Sequence, residues 1–192
     1  MSEARQRDRY SYADYLAFPS EERFELIDGV AYGMSPAPSR RHQSIVAELS
    51  VEIGSQVRGG PCDFYPAPID VKLSPDEEDD APTIVEPDLV VVCDPQKLTD
   101  RGISGAPDLI IEIVSPQSGM HDRGRKYELY ERAGVREYWI VDPMEALVEV
   151  YRHDGGNSFV RAGVFGPQDK LECEAVPVVV VDLSRVFENA KN

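Results

Sequence analysis

Two short runs, Glu86-Pro87-Asp88-Leu89-Val90-Val91-Val92 and Pro107-Asp108-Leu109-Ile110-Ile111-Glu112-Ile113-Val114, constrain the fold of this chain more than any other feature. Both are almost continuously apolar, the mark of strands covered on both faces at the centre of a sheet. Side chains alternate along a strand, so Asp108, Ile110, Glu112 and Val114 share one face and Leu109, Ile111 and Ile113 the other. Glu112 is therefore a carboxylate inside an apolar strand. Burial of an unpaired charge is costly, so such a group must be hydrogen-bonded, ion-paired, protonated or bound to a metal. Asp88, at the start of the other run, poses the same problem.

If the two strands run antiparallel, the beginning of the first lies beside the end of the second, and Asp88 meets Glu112. Two carboxylates there form an oxygen-rich site for a hard divalent cation. The residues alone also allow a plainer assignment, with Asp88 capping a turn and Glu112 paired with Arg123 or Arg125.

Around these strands the pattern predicts a mixed α/β (α+β) order. A short helix over 11–18 stops at Pro19, and Arg23–Met34 reads as a hairpin turning at Asp28-Gly29. Ile45, Val46, Leu49, Ile53 and Val57 make the stripe of an amphipathic helix over 40–57, ended by Gly59-Gly60-Pro61. Cys62–Leu73 reads as one further strand. Residues 122–133 predict a helix with Tyr127, Tyr130 and Ala133 toward the sheet, its charges in water and Gly134 as its stop. Arg136–Pro143 is the next strand. A hairpin from Leu147 to Phe165, turning at Asp154-Gly155-Gly156, and a late strand Val176–Leu183 complete the pattern. A single domain over residues 1–192 is expected, with its core at about 24–143 and a C-terminal hairpin and strand over 145–185.

Three further side chains are placed to join the carboxylates. Lys126 lies one turn after Asp122 and one turn before Tyr130, so it is either an i,i+4 partner of Asp122 or a cation beside a metal. Glu25 alternates with apolar neighbours in Phe24-Glu25-Leu26-Ile27 and is within reach of the same region. His42 heads the first long helix, where it serves as a cap, a surface residue or a ligand. Trp139 and Tyr138 read as core residues rather than a stacking platform.

Several classes of protein are excluded by what is missing. No apolar run approaches the roughly 18 residues that span a bilayer, and the first ten residues lack the apolar stretch of a signal peptide, so a cytoplasmic chain without membrane contact is expected. Cys62, Cys93 and Cys173 have no CxxC spacing and an odd count, which argues against structural zinc and a disulfide framework. The net charge of -15 is awkward for a nucleic-acid binder, because affinity for phosphates comes mainly from Lys and Arg. Part of that excess is the run Asp76-Glu77-Glu78-Asp79-Asp80, which reads as a solvated loop. Arg40-Arg41 and Arg123, Arg125 and Lys126 are the candidate basic patches.

Taken in order, Phe24–Gly29, His42, Glu86–Val92, Pro107–Pro116, Asp122 with Lys126 and Tyr130, and Gly134–Pro143 resemble the Uma-type family. That family is a branch of the PD-(D/E)XK nuclease superfamily whose members are described as restriction endonucleases. The resemblance implies a restriction-endonuclease-like mixed β-sheet flanked by helices, here with extra β-hairpins at both ends, and a Mg²⁺-dependent phosphodiesterase site for which Mn²⁺ substitutes. It carries Asp88 onto the superfamily's first metal-ligating aspartate and Glu112 onto the acidic residue of its second motif. The usual E-x-K pattern would put lysine at position 114, where this chain has valine, so Lys126 becomes the replacement. Glu25 and His42 become site neighbours.

Two functions from different classes follow as expectations. The first is an endonuclease in which Mg²⁺, held by Asp88, Glu112 and the Ile113 carbonyl, activates water against a DNA phosphodiester while Lys126 positions that water. The second is a non-catalytic binding or assembly module that keeps the nuclease-like fold, for which the missing strand lysine and the net acidity speak. A homodimer is expected, because the terminal hairpins and the late valine-rich strand leave more strand edge than one small sheet protects.

Overall fold

A computed structural model describes residues 9–19, 23–34, 38–73, 83–114, 122–156 and 158–188. The acidic run over 76–80 and Ser115-Pro116 lie outside them.

The chain begins with helix α1 (Tyr12–Leu16), capped by a reciprocal Ser11–Asp14 box. Strands β1 (Phe24–Ile27) and β2 (Val30–Gly33) form the expected hairpin, and Asp28 and Gly29 both have positive φ, as a two-residue primed turn requires. Helix α2 (Arg40–Val57) occupies the predicted span and buries Ile45, Leu49, Ile53 and Val57. Then follow β3 (Asp63–Pro66), β4 (Val71–Lys72), β5 (Ile84–Val85), β6 (Leu89–Val92), β7 (Leu98–Thr99), β8 (Gly102–Ser104) and β9 (Leu109–Ile113). A π-helical turn, Asp122–Lys126, leads into α3 (Tyr127–Ala133), which stops at left-handed Gly134. Strands β10 (Glu137–Asp142), β11 (Leu147–His153), β12 (Phe159–Phe165), β13 (Lys170–Glu172) and β14 (Val180–Asp182) precede the closing helix α4 (Leu183–Glu188).

Two six-stranded sheets result, ordered β12-β11-β10-β9-β6-β3 and β2-β1-β5-β4-β8-β7, with β13 and β14 paired separately. In the first, β6 and β9 run antiparallel while β9 and β10 run parallel. As expected, these central strands are buried throughout. One face of that sheet packs Leu89, Ile111 and Trp139 beneath α2 and α4, and the other packs Val90, Ile110 and Tyr138 against Tyr130 of α3 and Ile27 and Val71 of the second sheet. Trp139 and Tyr138 are thus core residues.

Four local expectations are corrected. Cys62–Leu73 is not one strand. It divides into β3 and β4, which belong to different sheets, and Pro68, lacking an N–H, cannot extend the ladder beyond Ala67. The late strand is only Val180–Asp182 and turns at once into α4. Cys62 and Cys93 form a disulfide, because the β3–β6 register pairs Asp63 with Val92 and so sets the next two residues face to face. Cys173 is a free, buried thiol. Finally, the charges of the 122–133 helix do not all stay in water, since Lys126 is buried.

Candidate functional site

The β6–β9 ladder pairs Leu89 with Ile111, Val90 with Ile110 and Val91 with Leu109. One rung further, Asp88 stands across from Glu112 on the same face. Asp88 Oδ2 accepts the main-chain N–H of Ile113 at 2.8 Å and lies 3.2 Å from His42 Nε2. His42 occupies the first turn of α2, where Ser39 Oγ accepts its N–H, and the apolar stripe that seats α2 on the sheet fixes where that turn ends. The Asp88 side chain retains 21% of its surface, so it is the member of the pair that water can reach.

Glu112 is only 4% exposed. Its Oε1 accepts hydrogen bonds from Lys126 Nζ at 2.9 Å and Tyr130 Oη at 2.7 Å. The same ammonium lies 2.8 Å from Glu25 Oε1, and that oxygen also accepts the N–H of Glu86 at 3.1 Å. Glu86 in turn pairs with Arg23. Three elements therefore meet here: β9 supplies Glu112, the end of the π-turn supplies Lys126, and β1 of the second sheet supplies Glu25. Each charge is buried and each has an opposite charge in contact, which is what makes burial tolerable. Tyr130 stays a hydroxyl donor, because burial above all, and then the Glu112 and Glu25 carboxylates, push its pKa well above the ordinary tyrosine value.

All five side chains singled out in the sequence, Glu25, His42, Asp88, Glu112 and Lys126, thus belong to one connected region. Ile113 enters it through its N–H. Arg125 is not the partner of Glu112. Its guanidinium lies 4.2 Å from the centre of the Tyr32 ring. Three participants were not assigned to the site from sequence: Tyr130 as the second partner of Glu112, and Glu86 with Arg23 behind Glu25. The four-residue step from Lys126 to Tyr130, one helical face, was the available signal for the first. Other buried carboxylates serve the scaffold: Asp108 holds Arg136 and the Cys93 N–H, and Glu137 accepts from Trp139 Nε1 and from the N–H groups of Glu174 and Ala175.

Among the described residues, no three Asp, Glu, His or Cys side chains converge into a cage that would hold a metal unaided. The oxygen donors that the β6–β9 ladder brings together are those of the Asp88–Glu112 pair. That set suits Mg²⁺, which typically takes one or two carboxylates and fills its remaining positions with water and substrate phosphate oxygens.

A family model described as "Uma2: Putative restriction endonuclease" matches residues 12–184. An uncharacterized protein of Synechocystis sp. is 24% identical over 172 residues, 88% of this chain and 86% of that protein. The fold is similar to the crystal structure of a "putative nuclease belonging to DUF820" from Anabaena variabilis. The TM-score is 0.71 at 20% identity, covering 94% of this chain and 98% of the other.

Proposed function

The chain belongs to the Uma2 family, and from that premise we propose that it is a metal-dependent endonuclease that hydrolyses DNA phosphodiester bonds at Asp88 and Glu112. The observation that carries this reading is the register of β6 and β9, which sets the two carboxylates across from one another with a buried lysine on one of them.

Asp88, Glu112 and the Ile113 carbonyl would hold Mg²⁺, with Mn²⁺ as a substitute. The ion would lower the pKa of a bound water and offset charge on the phosphate. The remaining chemistry belongs to the chain. The Ile113 N–H and His42 orient the Asp88 carboxylate, so no rotamer search precedes binding. Tyr130 and Lys126 fix Glu112 in the same way. Lys126 brings a cation to the face where the E-x-K lysine would lie, and Glu25 holds it there. A preorganised ammonium in a dry site stabilises charge that develops on phosphoryl oxygens far better than one in water.

A non-catalytic binding or assembly role is the second reading, favoured by valine at position 114 and the net charge of -15. Cleavage of supercoiled plasmid in Mg²⁺ and Mn²⁺, beside calorimetric titration of both ions, separates the two. The nuclease reading expects strand breaks that EDTA abolishes and ion binding that Asp88→Asn removes. Neither breaks nor ion binding in the wild type would leave the assembly role.

A further inference from the structure

A cleft of about 590 Å³ opens beside this site, lined among others by Arg23, Tyr65, Pro68, Asp70, Glu86 and Arg101. It is built onto the Asp88 strand rather than lying elsewhere on the surface. The Ala67 N–H donates to the Asp88 carbonyl at 2.8 Å, which fixes the Pro68 wall, and Glu86, also in the lining, is two residues before Asp88. Tyr65 pairs with Val90, so alternation puts its ring on the same sheet face as Asp88, one step along the strand.

The walls are held in place before any ligand arrives. Arg23 is tied to Glu86, and Tyr15 Oη donates to Asp70 Oδ1 at 2.9 Å. The β7–β8 hairpin closes directly on Asp70, whose carbonyl accepts the Ile103 N–H. A Cβ on Gly102 would lie 2.3 Å from the Asp70 carbonyl oxygen, so only glycine permits that approach. Arg101 at the hairpin tip has no ion pair among the described residues and is exposed.

The charges disfavour a bare phosphate as occupant. Asp70, Glu86 and Asp100 outnumber Arg23 and Arg101 in the lining. Donors and acceptors interspersed with a tyrosine ring and proline instead match the polar edge and flat face of a nucleobase. The whole-chain charge points the same way, since a chain at -15 gains little from phosphate neutralisation and needs another source of affinity for a strand.

Building on the nuclease reading, we propose that this cleft holds one unpaired base of a DNA strand, next to the phosphate that lies at Asp88 and Glu112. The Tyr65 ring and the Arg101 guanidinium supply the stacking surfaces, and the charged walls contact the base edge. The favoured substrate is then single-stranded DNA, or a duplex locally opened at that base.

The test walks one abasic tetrahydrofuran along an end-labelled single-stranded oligonucleotide and measures Mn²⁺-supported cleavage by the full chain. An abasic residue at one fixed offset from the cut phosphate is expected to lower cleavage there about tenfold, within the range of a lost base–aromatic stack. In Arg101→Ala, whose exposed position spares the fold, the intact strand is expected to be slower and the abasic penalty smaller. Equal cleavage of intact strands and of every abasic strand by the wild type would overturn the base site while leaving the nuclease reading standing. An equal loss on intact and abasic strands in Arg101→Ala would assign that arginine to phosphate and overturn the assignment as well. Failure to cut any strand or plasmid would remove both readings together.

Discussion

The Lys126 ammonium and the Glu112 carboxylate are 2.9 Å apart, and both are buried. Because Glu25 lies 2.8 Å from the same nitrogen, one cation balances two carboxylates that come from different sheets. Lys126 is therefore a buried ion-pair partner as well as the cation of the proposed mechanism, which sets its mutational signature apart from that of a surface i,i+4 pair.

Lys126→Ala is expected to destabilise the protein by about 3–5 kcal/mol, since it removes the ammonium shared by the buried Glu25 and Glu112 carboxylates. A surface lysine would cost only about 0.5 kcal/mol. Cleavage should fall on the order of a hundredfold or more as charge stabilisation is lost. Urea unfolding and plasmid cleavage read the two effects. Val114→Lys in the Lys126→Ala background restores a cation on the Glu112 face and should recover part of the rate. Wild-type cleavage by Lys126→Ala would refute the migrated-lysine role.

The two carboxylates should behave differently when neutralised. Asp88→Asn is expected to abolish Mg²⁺ binding with little change in stability, because Asp88 is partly exposed and the amide oxygen can still accept the Ile113 N–H. Glu112→Gln should also lose the ion, but with a clear drop in stability from its weakened contacts to Lys126 and Tyr130. Calorimetric titration and thermal unfolding of both variants check this, and unchanged ion affinity in either excludes that residue as a ligand.

Asp70 supplies a pH signature. Burial raises its pKa from 3.8, with the Tyr15 hydrogen bond and Arg23 pulling against the shift. The protonated form is therefore favoured by folding. Its stabilising contribution is complete below the unfolded value and is lost as pH rises through the higher folded value, after which a constant deficit remains. The melting temperature of wild type minus that of Asp70→Asn should fall as pH is raised across the carboxylate range, about 3 to 6. A flat or rising difference would contradict the assignment.

Strand β12 is an outer strand of the first sheet and exposes Val160 and Val164. An exposed apolar edge of this kind invites pairing with a second copy, which supports the proposed homodimer. Light scattering at micromolar concentration should give twice the 21.4 kDa chain mass, and Val160→Lys should shift it toward the monomer. A wild-type monomer would refute the proposal.

The periodicities of 3.6 and 2 act within a single segment, so the sequence alone could determine the span of α2, the Asp28-Gly29 turn, the Gly134 stop and the central strands. Alternation also fixed the face on which Glu112 lies. The meeting of Asp88 with Glu112 followed only on the condition that β6 and β9 run antiparallel, and the ladder satisfies it. Resemblance to a family supplied the candidate roles of Lys126, Glu25 and His42. It did not supply their partners.

What tertiary structure alone decided are the contacts between segments that no local pattern links. The second sheet is built largely from strands of two or three residues, too short to show a period, and stands because each is paired and packed by distant neighbours. Cys62 meets Cys93 through a register, not through spacing. The one-turn spacing of Asp122 and Lys126 could not reveal that Lys126 meets Glu25 and Glu112, which two sheets closing on a helix bring to it, because a buried ammonium must find carboxylates wherever the packing delivers them.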